Sequence, residues 1–448
     1  MKTPSIVVIG AGLAGCEAAW QAAEAGVEVT LYEMKPHRMS PAHKSEGYGE
    51  LVCSNSLRSA QLSNGVGLLK AELSMMGSLI MEAAYAARVP AGSALAVNRD
   101  EFSQYITEKI KNHPRITVIE REVEELPKEG IVVCATGPLT DGKMADAIAA
   151  LSGSEGLHFY DAVAPIVSFE SINLDVAFFA SRWGKGDPTD YLNCPMTKAQ
   201  YDAFYDALCT AEEAKLHDFD KPDEKITVFE GCMPVEVMAK RGYDTLRFGP
   251  MKPVGLPCPD GKEAFAVVQL RRENKEGTMY NLVGFQTHLT FGEQKRVFSM
   301  IPGLENADFL RYGVMHRNTF LQSPGFLSST YEVLSRKGLY FAGQMTGVEG
   351  YIESAASGFV AGLNAARQAK GEGELQFPHT TMIGAMARYI SQGGMGKFQP
   401  MNANFGLTPP LEVRVKGPKS MRNEAAAHRA LAVLEAFCAE EGIHIQKQ

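Results

Sequence analysis

The stretch that decides the fold runs from residue 5 to residue 33 and opens with Ser5-Ile6-Val7-Val8-Ile9-Gly10-Ala11-Gly12-Leu13-Ala14-Gly15. A short apolar run ends at Ile9, a glycine loop follows, and the alanine-rich segment from Cys16 to Ala25 is predicted to be helical. Gly26 ends that helix, and Val27 to Tyr32 is predicted to be the next buried parallel strand. This order of strand, glycine loop, helix and strand predicts the βαβ unit of a dinucleotide-binding fold.

The glycine loop and the acid after the second strand are the predicted cofactor contacts. Gly10 allows the tight turn, Gly12 allows close approach of the backbone to a pyrophosphate, and Gly15 allows close packing of helix on strand. The pyrophosphate would rest on the amides at the start of the helix, so the whole loop Gly10–Gly15, with Ala11, Leu13 and Ala14, is assigned to cofactor binding. Glu33, at the end of the second strand, is placed to accept hydrogen bonds from ribose hydroxyls.

A second glycine-rich element late in the chain favours FAD over NAD. Residues 338–343 read as a strand that enters a glycine turn, and a helix is predicted from Phe359 to Ala369. Simple NAD dehydrogenases lack such a return to the cofactor, so Gly343 and Gln344 are assigned to FAD binding. Gly137 joins them, because it lies in a corner of small residues directly after the strand predicted at Ile131 to Cys134.

These elements predict an α/β protein with an FAD-binding Rossmann-type domain, similar to that of glutathione reductase, and an inserted mixed α/β domain. We expect the FAD-binding domain to comprise residues 1–154, the inserted substrate or RNA domain to comprise 155–325, and the return element with a C-terminal appendage to comprise 326–448. Strands are predicted in the insertion at Ile226 to Phe229, Phe265 to Gln269 and Tyr280 to Gly284.

The composition of the 448 residues, 45% hydrophobic and 21% charged, is that of an ordinary globular protein. We find neither a signal segment nor a membrane span and therefore expect a cytoplasmic protein. The eight cysteines include no C-x-x-C pair, and we predict no metal site. The net charge of −8 argues against a surface coated for nucleic acid, although a local basic patch would be enough to bind RNA.

Two cysteines lie in settings that suit chemistry. Cys53 follows Leu51-Val52 and precedes the polar run Ser54-Asn55-Ser56, with Arg58 nearby to favour a thiolate. Cys232 lies in a corner between Gly231 and Pro234. The alternatives are an idle loop thiol for Cys53 and a packed thiol at a strand end for Cys232.

Six segments together make the chain similar to the folate- and FAD-dependent tRNA (uracil-5-)-methyltransferases. They are Gly10–Gly15, Leu51–Ser59, Asn98–Phe102, Cys134–Pro138, Phe229–Pro234 and Gly343–Tyr351.

The resemblance implies methylation of the T-loop uridine of tRNA to 5-methyluridine. The carbon would come from 5,10-methylenetetrahydrofolate through FAD and the reducing equivalents from NADPH or NADH. It also implies that Cys53 and Cys232 are catalytic: one thiolate adds to uracil C6, which makes C5 nucleophilic, and the other shields the flavin or acts as base. Which cysteine does which stays open, as does the oligomeric state.

Two other functions are compatible with this sequence. The first is a related methyltransferase acting on a ribosomal uridine, and the second is a flavin module that binds tRNA without methylating it. Binding of tRNA predicts basic residues at the surface. The candidates are the cluster at 413–422 with Arg429 beyond it, Lys240-Arg241, Arg247 and Lys252, and Arg271-Arg272. It also predicts an aromatic partner for an unstacked base, with Tyr351 and Phe291 as candidates.

Overall fold

The structure is a computed structural model. It describes residues 3–153, 157–162, 164–214, 233–256, 258–259, 261–274, 276–394, 398–413 and 415–446.

Sixteen strands are described, and they are numbered here in chain order. They are β1 Ser5–Ile9, β2 Glu28–Glu33, β3 Ser56–Ser59, β4 Arg88–Val89, β5 Ala94–Val97, β6 Ile116–Glu120, β7 Val132–Cys134, β8 Leu157–Ala162, β9 Ile166–Ser168, β10 Phe178–Phe179, β11 Tyr191–Met196, β12 Ala266–Arg272, β13 Met279–Leu282, β14 Phe309–Arg311, β15 Met315–Phe320 and β16 Leu339–Phe341.

Twelve α-helices are described in the same part of the chain. They are α1 Leu13–Glu24, α2 Gly65–Met75, α3 Leu79–Ala86, α4 Arg99–Asn112, α5 Gly142–Ser152, α6 Lys198–Cys209, α7 Val235–Lys240, α8 Thr245–Phe248, α9 Phe291–Phe298, α10 Tyr351–Lys370, α11 Met382–Gln392 and α12 Lys419–Glu441.

The first sheet is parallel, with strand order β16-β7-β1-β2-β6. Its register places Ile9 of β1 beside Tyr32 of β2 and Cys134 of β7, and Cys134 in turn beside Phe341 of β16. Four strands therefore end at one level, and the loops that follow them meet at one edge. In an open parallel sheet this carboxyl edge is where ligands bind.

Helices α1 and α10 pack closely against each other because glycines of α10 line the contact between them. A Cβ atom on Gly358 would lie 2.1 Å from the Ala14 carbonyl oxygen, and one on Gly362 would lie 2.4 Å from the Ala18 oxygen. Gly358 is therefore an interior residue of α10, and the helix begins at Tyr351, well before the predicted start at Phe359. The sequence interpretation was wrong here, since it took as a helix breaker a glycine that the packing requires.

The second sheet is antiparallel, with strand order β10-β11-β12-β13-β9-β14. Its hydrophobic core draws on residues from Val167 to Ala307 and includes side chains of α6, α7 and α9. The core of the first unit draws instead on residues from Ile6 to Ile148 and from Phe320 to Cys438. The domain boundaries predicted at 154/155 and 325/326 stay predictions. The strand predicted at 226–229 lies outside the described residues.

The C-terminal helices belong to the core of the first unit. Helix α11 is capped from α2, where the buried Glu72 carboxylate accepts hydrogen bonds from the amides of Met382 (2.7 Å) and Ile383 (2.8 Å). Cys438 of α12 is buried in the same core. Among the described residues, we find no helix with the length and apolar character needed to cross a membrane.

Candidate functional site

Two of the loop glycines are required by the backbone itself. Gly10 has φ +99°, and a Cβ there would lie 2.5 Å from the Ala135 carbonyl oxygen. A Cβ on Gly15 would lie 1.8 Å from the Gly10 oxygen. Any side chain at either position would push apart β1, β7 and α1, so these glycines set how closely the loop packs.

Gly12, in contrast to Gly10 and Gly15, faces open space. It is the N-cap of α1, its backbone is extended, and a Cβ there would meet no protein atom within 4 Å. The first turn of α1 contains no acidic residue and its cap makes no side-chain hydrogen bond, so its amides and positive dipole end are left for an anion. This open cradle fits the pyrophosphate of FAD.

Glu33 closes the other side of the cradle. Its carboxylate is buried and accepts hydrogen bonds from the Ala11 amide at 2.6 Å and from the Lys35 amide at 2.9 Å. An acceptor held at the end of β2, beside the glycine loop, is suited to ribose hydroxyls.

The return element reaches the same edge from β16. Gly343 has φ +87° and its amide donates to Ser357 Oγ at 2.7 Å, which ties the turn to α10. The side-chain amide of Gln344 donates to Glu349 at 2.8 Å. Gly137, after β7, has φ +82° and no atom within 4 Å of a would-be Cβ.

These loops enclose one cleft with an empty volume of about 1490 Å³, counting the space open to solvent. Most of the predicted site residues line it, namely Gly10, Ala11, Gly12, Leu13, Ala14, Glu33, Cys53, Gly137, Gly343 and Gln344. Gly15 is not among the lining residues, because it packs against the loop behind it. Cys232 lies outside the described residues.

Cys53 faces this cleft from a bend before β3, and Tyr351 holds it there. The Tyr351 oxygen accepts hydrogen bonds from the amides of Cys53 (2.7 Å) and Ser54 (3.2 Å), and lies 2.8 Å from the Cys53 sulfur. Burial, and then the charge of Cys53, raise the pKa of Tyr351 well above its usual range, so the phenol keeps its proton. With both amides pointing at the oxygen, the O–H is left to donate to the sulfur.

Three arginines fix the loop that carries Cys53. Arg99 donates to the carbonyl oxygens of Leu51 (3.0 Å) and Val52 (3.3 Å), and Arg311 donates to the Val52 oxygen at 2.9 Å. Burial lowers the pKa of Arg311, whereas the nearby Cys53 acts in the opposite sense. Arg99 is also paired with the buried Glu273 at 2.6 Å, so these two arginines serve mainly to hold the backbone before Cys53.

The third arginine, Arg271 of β12, is almost fully buried and donates to the side chains of Ser54 (3.2 Å) and Asn55 (3.0 Å). Asn55 is itself fully buried and donates to the carbonyl oxygens of Val97 and Arg272. The antiparallel sheet therefore helps to position a loop of the dinucleotide-binding unit.

Arg58 has a different partner from the one that the sequence suggested. Its guanidinium pairs with the buried carboxylate of Glu353 in the first turn of α10. That carboxylate also accepts a hydrogen bond from the Ala403 amide at 2.9 Å. Arg58 therefore links the Cys53 loop to the start of α10, two residues beyond Tyr351.

Several of the predicted basic contacts for RNA are engaged inside the protein. Lys240 pairs with Glu213, and Arg247 pairs with Asp244 and stacks 3.8 Å from the centroid of the Phe265 ring. Arg429 donates to two carbonyl oxygens of residues 409–410. Arg414, within the predicted cluster at 413–422, lies outside the described residues.

Two other cysteines of this unit are packed. Cys16 and Cys134 are fully buried, and burial raises the pKa of both thiols, that of Cys134 to about 11. Neither suits nucleophilic chemistry. Within the part of the chain that the structure describes, no group of three or more His, Cys, Asp or Glu side chains could hold a metal ion.

Comparison with known proteins identifies the family of the chain. The family model described as glucose inhibited division protein A matches residues 5–373. The methylenetetrahydrofolate--tRNA-(uracil-5-)-methyltransferase TrmFO of Lactobacillus delbrueckii subsp. bulgaricus is 57% identical over 440 residues, covering 98% of this chain and 99% of the relative. The TrmFO of Heliobacterium modesticaldum is 59% identical over 437 residues, covering 97% and 98%. The chain belongs to the TrmFO family.

Membership of the TrmFO family confirms the resemblance drawn from the sequence motifs. Two crystal structures of Aquifex aeolicus GidA share the fold. Form I has a TM-score of 0.69 at 18% identity and covers 99% of this chain and 77% of GidA, and form II has a TM-score of 0.66 at 17% identity and covers 97% and 73%. They support the predicted FAD-binding Rossmann-type fold and, at this identity, nothing beyond the fold.

Some residues of the cleft carried no signal in the sequence of this TrmFO family member. Arg38, His43, Asn318 and Ser354 all line it. Asn318 comes from β15, about 180 residues after the loop of Gly137. No local pattern could reveal contacts between segments so far apart in the sequence.

Proposed function

We propose that this protein methylates C5 of the T-loop uridine of tRNA, with 5,10-methylenetetrahydrofolate as carbon donor. Relatives that are 57% and 59% identical over nearly their full lengths are named for folate-dependent methylation of tRNA uracil. The structural observation that carries the proposal is the position of Cys53, whose side chain lines the same cleft as the dinucleotide loop. A thiol and a flavin opening on one cleft are what alkylation of a pyrimidine needs.

The residues present fit FAD. The loop Gly10–Ala14 would hold its pyrophosphate, Glu33 its ribose, and Gly137, Gly343 and Gln344 the part nearest the thiol. When bound, FAD would supply the redox chemistry and the transfer of the one-carbon unit, with NADPH or NADH as reductant. Gly15 contributes by packing and not by contact. We place the reaction in the cytoplasm.

The protein's own part in the reaction is thiol chemistry. A thiolate adds to C6 of the uracil, and the electron pair of the C5–C6 double bond moves to C5 and onto the O4 carbonyl as an enolate. C5 then bonds to the incoming carbon, a base removes the C5 proton, and cleavage of the S–C6 bond restores the double bond and releases the thiolate. Cleavage of the bond between that carbon and its carrier, with a hydride equivalent that comes ultimately from NADPH or NADH, would complete the methyl group. We assign the addition and the base or shielding role to Cys53 and Cys232 together. The Tyr351 O–H would hold Cys53 as the thiolate.

The first experiment is reconstitution. Purified protein should be yellow and should form 5-methyluridine in a T-arm RNA when given methylenetetrahydrofolate and NADPH. A colourless, inactive preparation would refute the proposal. A ribosomal RNA fragment in the same assay separates the two possible RNA substrates.

The second experiment tests the thiols. Cys53→Ala and Cys232→Ala should each abolish methylation and keep the flavin absorbance, whereas Cys209→Ala, a half-buried thiol of α6, should stay active. RNA carrying 5-fluorouridine cannot lose a C5 proton and should trap the sulfur adduct. Loss of the trapped complex in only one variant identifies the thiol at C6, and full activity in either variant would refute the role of that cysteine.

A further inference from the structure

Three aromatic rings form a parallel stack beside the Cys53 loop. The rings of Phe309 and Tyr312 have centroids 5.4 Å apart and planes inclined by 8°, and the rings of Tyr312 and Phe291 have centroids 4.9 Å apart and planes inclined by 16°. Tyr312 is the middle ring. Phe309 packs against the core of the antiparallel unit at one end, and Phe291 forms the other end.

The outer ring is presented to solvent. Phe291 is 56% exposed at the first position of α9, where Thr290 already provides the cap. Phe291 makes no cap of its own, and more than half of its surface stays accessible to a ligand.

The stack is held in place from both sides. The Gln294 side chain of α9 donates to the carbonyl oxygens of Leu289 (2.7 Å) and Gly313 (2.8 Å), and accepts from the Gly313 amide at 2.7 Å. These bonds lock the segment before Phe291 to the residue after Tyr312. The outer ring is therefore supported by a fixed partner ring.

The stack is also next to the candidate site. Arg311 lies in sequence between Phe309 and Tyr312, and it donates to the Val52 carbonyl oxygen, one residue before the thiol. Lys295, four residues after Phe291 and exposed, lies on the same face of α9. A ligand seated on the outer ring would meet a positive charge there.

We propose that the outer face of Phe291 is a stacking platform for an unpaired base of the RNA substrate, a loop nucleotide next to the target uridine. A uridine that leaves its stack to reach the cleft deprives its neighbours of a stacking partner, and a flat, rigid ring replaces that partner. Lys295 would contact the phosphate backbone. This inference rests on the proposed function.

The test uses T-arm RNAs that carry 2-aminopurine at single loop positions, bound to the full protein. With wild type, stacking should quench the fluorescence at one or two positions. Phe291→Ala should abolish that quenching and raise the Kd for RNA about 5- to 150-fold, the range for stacking of one base on an aromatic ring. Phe291→Trp should restore both. The matched control is Phe248→Ala, which removes an 81% exposed ring of α8 and should change neither.

Unchanged quenching and Kd in Phe291→Ala would overturn the platform and leave the proposed methylation intact. Equal weakening in Phe248→Ala would also overturn it. Sedimentation velocity tests the other occupant: a wild-type oligomer that Phe291→Ala dissociates would make the ring a contact between copies of the chain. Failure of wild type to bind or methylate any RNA would refute the proposed function as well.

Discussion

The hydroxyl oxygen of Tyr351 lies 2.8 Å from the sulfur of Cys53, although 298 positions separate the two residues in the sequence. The same oxygen accepts the amide hydrogens of Cys53 and Ser54. The first residue of α10 therefore fixes both the backbone and the side chain of the thiol loop. Tyr351, proposed from the sequence as a stacking partner for a base, acts in the structure as a hydrogen-bonding partner of the thiol.

Tyr351→Phe should make Cys53 less reactive without unfolding the protein, because it removes one hydroxyl and keeps the ring. A hydrogen bond of this kind contributes about 0.5–1.5 kcal/mol, so alkylation of Cys53 by iodoacetamide at pH 7 should slow roughly 2- to 10-fold. Peptide mapping by mass spectrometry follows Cys53 separately from the other cysteines. The control is Tyr389→Phe, whose hydroxyl bonds instead to the Gln399 carbonyl oxygen. Equal alkylation rates in wild type and Tyr351→Phe would contradict the role of the hydroxyl.

Gly12→Ala and Gly15→Ala should separate cofactor binding from folding. An alanine Cβ at position 12 meets only the open cleft, so the protein without cofactor should keep its melting temperature but bind FAD weakly. At position 15 the Cβ would overlap the Gly10 oxygen, so that variant should be strongly destabilised or fail to fold. Flavin absorbance after purification and thermal melting of the apoprotein measure the two effects. A Gly12→Ala protein with full FAD content would show that the cofactor does not approach this backbone.

Asn55→Ala should destabilise the protein by about 3 kcal/mol, because it leaves the buried guanidinium of Arg271 without its main acceptor. Methylation should fall too, since Asn55 positions the loop of Cys53. Urea unfolding gives the stability. Asn423→Ala removes a single half-buried hydrogen bond to the Ser63 carbonyl oxygen and should lower the free energy of unfolding much less. Similar losses of stability in the two variants would mean that the hydrogen bonds of Asn55 contribute no more than one ordinary hydrogen bond.

Lys70→Met should change how stability depends on pH. Lys70 of α2 is buried and donates to the Ser59 carbonyl oxygen at 2.8 Å. Burial, and then the charge of Arg58, lower its pKa to about 7, with Glu353 acting in the opposite sense. The native state therefore carries a buried charge below pH 7, and this penalty is relieved as the pH rises from about 7 toward the 10.5 of the unfolded chain.

It follows that the free energy of unfolding of Lys70→Met exceeds that of wild type by most at pH 6 to 7. That gain should shrink by about 1.4 kcal/mol per pH unit between pH 7 and 10. Urea unfolding of both proteins at several pH values measures it. Lys111→Met removes an exposed ammonium paired with Glu120. Its free energy of unfolding should differ from that of wild type by a constant amount over this pH range. A constant difference between Lys70→Met and wild type would show that Lys70 stays charged throughout.

Local patterns in the sequence predicted the first βαβ unit well. The strand predicted at 5–9 is β1, and the strand predicted at 27–32 is β2 to within one residue at each end. The glycine loop, Glu33, Gly137 and the return at Gly343 were found because parallel strands bring their carboxyl ends to one edge. These features depend on residues that are neighbours in sequence or on a general rule of sheet topology.

The rest depends on contacts between distant segments. The partners of the Cys53 loop come from α10, α4, β12 and β14, and no spacing links them to the thiol. Arg58, five residues after Cys53, pairs with Glu353. The stack that ends at Phe291 combines a residue of α9 with Phe309 of β14 and with Tyr312 directly after it, and its order becomes visible only when these segments are packed together.

The glycine contact between α1 and α10 has a consequence for biosynthesis. A ribosome that has released the first 150 residues has made the cofactor loop but neither β16 nor the helix that covers α1. The antiparallel unit, whose core draws on residues 167–307, can bury its own side chains first. The apolar face of the nascent amino-terminal segment meanwhile stays uncovered until residues 339–370 emerge, a delay of roughly ten seconds or more at about 5–20 residues per second. Association with a chaperone during translation would protect this protein most over that interval.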